Sequence, residues 1–583
     1  MIKRRVGMVL LMASSAMAAP THLVEEAPIS IFNVEPGIYL VDFGRVAFGN
    51  VRLISPEDAT VTVHFGEDLK NGRVNRKPPG TVRYKATTVD LTKDEALVAA
   101  PKKDGRNTRI DHSWNPPAIL TPTEWGVILP FRWVEIEGWK GELTPEQVVR
   151  PSAFLSAWED EAASFECSDR MLNRIWELCR YSIKATTFAG VYVDGDRERI
   201  PYEADAYLNQ LSHYYTDHDI QMARDTIDYL MEYETWPSEW PPHMVFMVHA
   251  DWMHTGNTQW VEKHYEALKS KILSDRKGDD GLITTTAQQI KKGDIVDWPK
   301  AERDGYVFTS RNTVVNAFHL QAVRQMAELA HALEKNEEAK AFEAEFEKSY
   351  VAFQQAFFND ETGLYQDGAE TDHSSIHANL FPLAFELVPE DARTGMAEWL
   401  AGRGMLCSVY AAQYLMEALF EQGAAEEALA LINAEGDRSW RHMVESGATI
   451  TWEAWDQKYK PNQDWNHAWG AAPANLLPRY ILGAEPLTPG WDTVLIRPHL
   501  AGLTHAKGRI PTPRGPLEIH WTTSDSFTLN ISLPEGMKAR IELPVLGDSS
   551  HVFCEGIRVD AVQSGNRWMV HCEHSGNRSF EVR

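Results

Sequence analysis

Two stretches of the sequence concentrate residues that could transfer protons, and they lie far apart in the chain. The first stretch, residues 191–215, carries five carboxylates within twelve residues, interleaved with Arg197 and Arg199 and flanked by apolar residues. The carboxylates are Asp194, Asp196, Glu198, Glu203 and Asp205. Burial of like charges raises the pKa of one carboxyl group, while a neighbouring arginine keeps another ionised. This environment suits a carboxylic acid that donates a proton near neutral pH.

The second stretch, residues 446–470, surrounds a carboxylate with tryptophans. Glu453 lies between Trp452 and Trp455, and His467 follows between two further tryptophans. Aromatic rings pack on the faces of pyranose sugars, so this composition is typical of a sugar-binding subsite. Glycoside hydrolysis uses two separated carboxyl groups, and the two stretches supply such a pair. The alternative is the aromatic core of a helical domain, with Glu453 in an ion pair and His467 structural.

A third candidate is the pair Asp297 and Trp298, which follows a loop containing glycine and lysine. Taken alone, this pair is equally well explained by a turn with a buried tryptophan. Residues 236–252 contain tryptophans, prolines and histidines, and they suggest the wall of a pocket.

The first stretch also admits a calcium-binding alternative. Four of its acids occupy positions 1, 3, 5 and 12 of a calcium-loop pattern. They are Asp194, Asp196, Glu198 and Asp205. Arg199 stands where the sharp turn requires glycine, however, and a proline interrupts the loop. A solvated acidic turn is the other alternative. The sequence contains no phosphate-binding glycine loop, serine-hydrolase elbow or zinc-protease motif, and we expect neither a metal nor a cofactor.

A helix has to present the end of the first stretch. Pro201 suits a first helical position, because its φ is fixed and its missing N–H is not needed there. An apolar row and a polar row follow at helical spacing. The apolar row is Ala204, Leu208, Leu211 and Tyr215, and the polar row is Tyr202, Asp205, Asn209 and Ser212. We predict a helix from Pro201 whose polar face looks into a sugar-binding cavity, with residues 194–200 as the loop before it.

The hydrophobic pattern changes twice along the chain. Residues 19–160 alternate apolar and polar positions between turn-forming residues, as in a β-sandwich. Residues 161–480 show a period of about 3.6 in successive helical segments, without the repeat of about 33–45 residues expected of an α-solenoid. Alternation returns over residues 481–583. We therefore predict a multidomain α+β protein, with an (α/α)6 barrel between an N-terminal and a C-terminal β-sandwich.

Residues 1–18 have the features of a secretory signal. Lys3, Arg4 and Arg5 precede an apolar run, and residues 16–18 read AMA, a small-x-small cleavage site. No later apolar run approaches the roughly 18 residues of a membrane span. We expect an exported protein, periplasmic or secreted.

Composition restricts the partners. The formal charge of −26 argues against nucleic acids and anionic membranes, which bind basic surfaces. Five cysteines are too few for a disulfide scaffold. Cys554 and Cys572 flank two strand-like runs and could form one bridge in an oxidising compartment. The expected partner is a carbohydrate, and the sequence indicates no oligomeric state.

The first stretch resembles a motif of glycoside hydrolase family 78, the inverting α-L-rhamnosidases. That motif reads D-C-P-x-R-(D)-E-x-L-G-W-x-G-D-A, and residues 194–206 read DGDRERIPYEADA. This chain keeps three features of the motif. They are the leading aspartate (Asp194), the arginine before the acid (Arg197) and the seven-residue step from Glu198 to Asp205. Gly195-Asp196 replaces Cys-Pro, and residues 200–204 replace L-G-W-x-G.

The second stretch resembles the family motif A-T-T-I-W-E-x-W-D. Residues 448–456 read ATITWEAWD, and an Asn-His pair followed by a glycine comes at residues 466–470. The Asp297-Trp298 pair and residues 490–498 and 512–515 also fit the family.

The resemblance implies a role for each of these residues. Glu198 would be the general acid that protonates the leaving oxygen, and Glu453 the general base that activates water. The residues that hold the sugar or tune the acids would be Asp194, Arg197, Asp205, Trp298, Trp452 and His467. The implied activity is inverting, exo-acting removal of α-L-rhamnose or a similar deoxy sugar. The alternatives are a hydrolase on the same barrel acting on another sugar, such as a uronic acid, and a carbohydrate-binding protein that has lost catalysis.

Overall fold

The structure, a computed structural model, describes residues 20–111, 116–546 and 550–583. The predicted signal, residues 1–18, lies outside the described residues. Within them, no helix combines the length and the apolar character that crossing a membrane requires.

Strands occur in two regions of the described chain, with one short hairpin between them. The strands are β1 (Thr21–Glu26), β2 (Ser30–Glu35), β3 (Ile38–Gly49), β4 (Val51–Ile54), β5 (Ala59–Gly66), β6 (Leu69–Lys70), β7 (Arg73–Val74), β8 (Tyr84–Leu91), β9 (Ala96–Ala99), β10 (Leu129–Glu137), β11 (Val148–Leu155), β12 (Ser164–Cys167), β13 (Phe358–Asn359), β14 (Leu364–Tyr365), β15 (Ala484–Pro486), β16 (Thr493–Ile496), β17 (His505–Ile510), β18 (Leu517–Thr523), β19 (Phe527–Leu533), β20 (Lys538–Pro544), β21 (Val552–Cys554), β22 (Ile557–Arg558), β23 (Val562–Ser564), β24 (Arg567–Cys572) and β25 (Gly576–Val582).

The N-terminal strands pair in the order β8-β5-β10-β3-β11-β4-β9, with β1 added to β11 and β2 to β3. Successive residues of a strand face opposite sides of a sheet. In β5, Val61 and Val63 are therefore buried, whereas Thr60 and Thr62 are not. The buried side chains of β5 and β10 pack with those of β4 and β11 in one core. This packing gives the β-sandwich that the alternating pattern predicts.

The helices lie between the two β regions. They are α1 (Arg170–Thr186), α2 (Glu203–Tyr214), α3 (Gln221–Glu232), α4 (Pro242–Thr255), α5 (Thr258–Leu268), α6 (Ala287–Lys292), α7 (Thr313–Ala332), α8 (Asn336–Phe357), α9 (Ile376–Ala384), α10 (Glu390–Arg403), α11 (Ala411–Glu421), α12 (Ala425–Ile432), α13 (Trp440–Glu445) and α14 (Pro473–Leu476), which continues as a π-helix over Leu477–Leu482.

Six of these helices close a ring, since α2, α4, α7, α9, α11 and α14 contact one another in that order and α14 returns to α2. Each member of this ring is preceded in the chain by an outer helix. The outer helices are α1, α3, α5, α8, α10 and α12. Outer helices keep one exposed face: α8 buries few side chains along its length, whereas α9 buries eight of nine residues. The arrangement confirms the predicted (α/α)6 barrel.

Two helix boundaries differ from those that the sequence predicts. Helix α4 (Pro242–Thr255) overlaps residues 236–252, which the sequence suggests only as a pocket wall. It is buried on nearly all sides in the inner ring, so it lacks the amphipathic stripe that marks an outer helix. Helix α2 begins at Glu203 rather than Pro201, because Tyr202, at the N-cap position, keeps an extended conformation (φ −126°, ψ 144°).

The C-terminal strands form two sheets. The first has the order β12-β17-β18-β19-β25-β21-β22 and the second β15-β16-β20-β24-β23. Strand β12 precedes α1 in the chain, so the C-terminal sandwich includes a strand from before the barrel. All five cysteines are free thiols, and the possible bridge between Cys554 and Cys572 is not formed.

The N-terminal sandwich packs directly on the barrel. Phe48 of β3 stacks on Phe188 with ring centroids 3.7 Å apart. The Tyr181 hydroxyl of α1 donates to the Val46 carbonyl over 2.9 Å. Val193 and Ile450 belong to the same apolar cluster. Both carboxylate-rich stretches therefore run beside this interface.

Candidate active site

The two carboxylate-rich stretches meet at the N-terminal ends of the inner helices. The acid loop, residues 194–200, leads into α2, and Asp205 lies in the first turn of that helix. The base loop, residues 453–467, leads towards α14. A cavity of about 130 Å3 opens between them. It is lined by Asp194, Arg197, Glu198, Tyr202, Asp205, Trp236, Trp240, Ile295, Trp298, Glu453, His467 and Trp469.

The structure brings seven of the eight residues singled out from the sequence to this cavity. The exception is Trp452, which is not among the lining residues. Its ring is buried and stacks on Trp465 with centroids 5.3 Å apart. We therefore correct its expected role from sugar binding to packing behind the base loop.

Other lining residues were not assigned a role from the sequence. Helical spacing places Tyr202 in the polar row, and the structure brings Tyr202 and Asp205 of that row to the cavity but not Asn209 or Ser212. Trp236, Trp240 and Trp469 belong to stretches that the sequence marks, but neither composition nor spacing shows which of their rings face the cavity. Ile295 carries no chemical signal at all. Trp236 is partly exposed and meets Trp298 edge to face at 6.2 Å, so the two indoles form the outer wall of the cavity.

Glu453 is held by two cations. Arg197 donates from both terminal nitrogens to its carboxylate, over 2.7 and 3.0 Å, and the Lys460 ammonium lies 3.0 Å from Oε1. Burial opposes ionisation of Glu453, but Arg197, His467 and Lys460 outweigh it and lower its pKa to about 2. The carboxylate is therefore ionised at neutral pH, as an acceptor of a proton from water must be. Nothing in the sequence marks Lys460, because its partner depends on the fold of the base loop.

Glu198 is the more accessible of the two glutamates. Its side chain is 32% exposed, against 2% for Glu453. The Tyr202 hydroxyl donates to Oε2 over 3.2 Å, and Arg197 Nε lies 3.4 Å from Oε1. The Arg197 guanidinium thus contacts both glutamates and lies between them.

Asp194 lines the cavity and has one carboxylate oxygen without a hydrogen-bond partner. Its Oδ1 accepts from the Ile200 amide over 3.0 Å, which closes the acid loop. Its Oδ2 is buried without a hydrogen-bond partner, with Arg197 3.9 Å away. Burial raises the pKa of Asp194 well above its usual range, and the charge of Glu198 adds to the effect. A buried polar atom without a partner is costly, so this oxygen is a natural contact for a sugar hydroxyl.

His467 lies between two buried carboxylates. Its Nε2 is 2.8 Å from Asp205 Oδ1 and its Nδ1 is 3.3 Å from Asp464 Oδ1. Burial alone would lower the pKa of His467, but hydrogen bonds to the two carboxylates raise it to about 10. The imidazolium therefore ties the first turn of α2 to the base loop.

Asp297 sets the position of the neighbouring Trp298. Its buried carboxylate accepts from the Ser408 amide over 2.8 Å, and His377 Nε2 lies 2.7 Å from Oδ2. These contacts link the segment to the N-terminal ends of α9 and α11. Trp298 is therefore fixed as a wall of the cavity by a network that the sequence does not reveal.

The site fits ion pairs better than a metal ion. Glu453, Asp464 and His467 have ligand atoms within 4.8 Å of one another. A metal there would compete with Arg197 and Lys460 for Glu453, and a protonated His467 offers no lone pair. The calcium alternative for the acid loop is disfavoured too, because Arg83 and Arg199 pair with the Asp196 carboxylate.

Family models match three consecutive parts of the chain. The model described as the bacterial alpha-L-rhamnosidase 6 hairpin glycosidase domain matches residues 160–481, more than half of the chain. This chain belongs to the bacterial α-L-rhamnosidase family. The family's concanavalin-like domain matches residues 32–153, and its C-terminal domain matches residues 483–556. The family suggested by the two motifs is thereby confirmed.

Curated relatives of this rhamnosidase-family chain are longer than it is. An α-L-rhamnosidase of Alteromonas sp. (strain LOR) is 25% identical over 556 residues, which cover 89% of this chain and 57% of the relative. One of Streptomyces avermitilis is 22% identical over 558 residues, which cover 90% of this chain and 50% of the relative. The chain spans about half the length of the curated relatives it matches.

Solved structures share the fold of this family member. The α-L-rhamnosidase from Dictyoglumus thermophilum superposes with a TM-score of 0.80 at 18% identity, covering 97% of this chain and 64% of that one. The Streptomyces avermitilis α-L-rhamnosidase complexed with L-rhamnose gives a TM-score of 0.78 at 19% identity, covering 97% and 54%. The agreement extends across the barrel and both β regions.

The His467 cluster predicts a pH dependence of stability. A histidine whose pKa rises on folding from 6.5 to about 10 adds stability that is complete below pH 6.5 and is lost as the pH rises through 10. We expect the free energy of unfolding of the wild type to fall over this range more steeply than that of His467→Gln. Urea denaturation at several pH values measures both slopes. The exposed His520 supplies the control, because His520→Gln should keep the wild-type slope. Equal slopes for wild type and His467→Gln would contradict the assignment.

Proposed function

We propose that this chain is an inverting glycoside hydrolase that removes terminal α-L-rhamnose, or a similar deoxy sugar, from a glycan or glycoside. The observation that carries the proposal is the pair Glu198 and Glu453 facing one small cavity with Arg197 between them. The names of the curated relatives support the choice of sugar. A solved structure of the same fold that contains L-rhamnose supports it further.

In the proposed reaction Glu198 protonates the glycosidic oxygen as the bond from that oxygen to the anomeric carbon breaks. Glu453 takes a proton from a water molecule, whose oxygen bonds to the anomeric carbon from the opposite face. The products are the free sugar with inverted configuration and the leaving alcohol. The accessible position of Glu198 suits a group that meets the leaving part of the substrate, whereas the buried, ionised Glu453 suits the base. An inverting mechanism needs room for a water molecule between the carboxyl groups. The Arg197 guanidinium contacts both glutamates, which is consistent with carboxyl groups that do not contact each other.

The volume of the cavity supports exo action. At about 130 Å3 the cavity is small, which favours a substrate that places one terminal sugar in it. Asp194 and Asp205 offer carboxylate oxygens for its hydroxyl groups, His467 holds Asp205 in place, and Trp298 offers an apolar ring. Export to the periplasm or the medium belongs to the same proposal and is supported by the sequence of residues 1–18.

Hydrolysis of an aryl α-L-rhamnoside, followed by proton NMR, tests the proposal. We expect turnover, with β-L-rhamnose as the first anomer to appear before mutarotation. Appearance of the α anomer first would instead indicate a retaining mechanism, in which the carboxyl groups are closer together. Turnover of an aryl uronide but not of the rhamnoside would favour the other hydrolase alternative. Tight sugar binding in calorimetry without release from any glycoside would favour a binding protein.

A further inference from the structure

One segment of the N-terminal sandwich, residues 79–83 between β7 and β8, contacts both catalytic loops. The Thr81 amide donates to the Gln463 carbonyl over 3.1 Å, and its hydroxyl donates to the Asn462 carbonyl over 3.1 Å. Asn462 and Gln463 belong to the base loop, beside Lys460. Two residues later, Arg83 turns to the acid loop. One short segment therefore contacts the loops that carry Glu198 and Glu453.

Arg83 and Asp196 form a buried ion pair between the sandwich and the acid loop. Arg83 Nε donates to the Asp196 carboxylate, and Arg83 Nη2 donates to the Asp196 carbonyl over 2.6 Å. Both residues are at least 95% buried. Asn107, also of the N-terminal region, donates to the same carbonyl over 2.8 Å. The backbone next to Arg197 and Glu198 is thus held from the sandwich side.

Asn466 extends the contact to the base loop. Its side-chain oxygen accepts from the Asp196 amide over 2.8 Å, and its side-chain nitrogen donates to Glu67 of the sandwich over 3.1 Å. Glu67 in turn accepts from the Arg83 amide over 2.6 Å. Arg83, Asp196, Asn466 and Glu67 close a ring of hydrogen bonds that includes the sandwich and both loops.

Gly195 makes this ring possible. Its φ of +108° lies in the left-handed region, and a Cβ there would come within 2.8 Å of the Asn466 carbonyl oxygen. Only glycine adopts that backbone at so close an approach without strain. Gly195 and Asp196 stand where the family motif has Cys-Pro. The departure from the motif therefore coincides with the residues that join the acid loop to the sandwich.

We propose that Arg83 and Asp196 are positioning residues, through which the N-terminal sandwich holds Glu198 and Glu453 in register across the cavity. This inference rests on the proposed function, because its kinetic test measures hydrolysis of a rhamnoside. Neither residue touches the sugar in this scheme. Displacing a catalytic group by about 1 Å can cost on the order of 10²-fold in rate, so loss of this pair acts on kcat more than on substrate binding.

Kinetics of Arg83→Gln and Asp196→Asn test the proposal. Each should lower kcat by about 10- to 100-fold, with KM changed by less than about threefold. The double variant should lose less activity than the product of the two single losses, because both substitutions remove the Arg83–Asp196 contact. Each also removes a contact of its own, since Asp196 pairs with Arg199 and Arg83 with Asp104. Arg83→Lys should recover part of the rate by restoring the charge.

The matched control is Arg45→Gln. It removes the ion pair between Arg45 of the sandwich and Glu177 of α1, which lies away from the two loops. It should keep the wild-type kcat.

Hydrogen exchange gives a readout that needs no substrate. Arg83→Gln should speed amide hydrogen exchange in residues 194–200 and 461–467 and leave exchange in α8 unchanged. Arg45→Gln should alter exchange in neither loop.

The proposal is overturned if Arg83→Gln and Asp196→Asn are folded and keep the wild-type kcat. It is also overturned by loop exchange equal to that of the wild type in both variants. If Arg83→Gln does not fold, Asp196→Asn, which keeps the Asp196 backbone contacts, decides the question. If the wild type hydrolyses no rhamnoside but amide exchange in the two loops still changes in the variants, the positioning role stands and only the proposed function is contradicted.

Discussion

Replacing Glu198 by glutamine should lower kcat by about 10²–10⁴-fold for a rhamnoside with an alkyl or sugar leaving group. The amide has nearly the same shape and can keep its contacts with Arg197 and Tyr202, but it cannot supply the proton that the departing oxygen requires. Because Glu198 is partly exposed, the substitution should change the thermal unfolding midpoint little. Steady-state kinetics with purified enzyme measures the first effect and calorimetry the second.

The leaving group distinguishes an acid from a residue that merely binds the sugar. A nitrophenolate leaves without a proton, so Glu198→Gln should lose much less activity on a nitrophenyl rhamnoside than on an alkyl rhamnoside. Glu234, a half-exposed barrel carboxylate paired with Lys271, supplies the control, and Glu234→Gln should behave as the wild type does on both substrates. Equal losses on the two substrates would remove Glu198 from the role of general acid.

Much of the site could be predicted because its chemistry is local in the sequence. The step from Glu198 to Asp205 spans one loop and one helical turn, so both residues reach the same cavity once α2 forms. The aromatic context of Glu453 is likewise contained within a single stretch. The barrel could be predicted as well, because its outer helices and the inner helix α2 carry the amphipathic period.

The partners of these residues could not be predicted, since they come from distant parts of the chain. Arg197 and Glu453 are 256 positions apart, and Arg83 and Asp196 are 113 apart. Trp452 shows a different kind of error, a residue that the sequence assigns to the site but that the structure places behind it. The composition around it suggests a place at the sugar, but the indole is buried and stacks on Trp465, a contact that sequence spacing does not reveal. The sequence does not predict inner helix α4, because apolar residues lie on nearly all of its sides and leave no amphipathic stripe.

Replacing Glu453 by alanine should lower kcat by about 10²–10⁴-fold whatever the leaving group, because water then has no base to accept its proton. The substitution also leaves Arg197 and Lys460 without their shared carboxylate. Removing one partner of a buried ion pair costs about 3–5 kcal/mol, so the free energy of unfolding should fall as well. Kinetics on alkyl and nitrophenyl rhamnosides and urea denaturation measure the two effects. Asp456→Asn, a change in the same loop away from the cavity, should spare kcat.

Azide should restore turnover of an activated rhamnoside by Glu453→Ala. The variant leaves a carboxylate-sized space facing Arg197 and Lys460, and these two cations favour a small anion there. Azide attacks the anomeric carbon without losing a proton, so it needs no base. Because it enters from the Glu453 side, the product should be rhamnosyl azide of inverted configuration, identified by NMR.

Azide should not accelerate Glu198→Gln in the same way, since that variant still has its base. A glycosyl azide of retained configuration from Glu453→Ala, or undiminished hydrolysis without azide, would exclude Glu453 as the base on the face opposite Glu198.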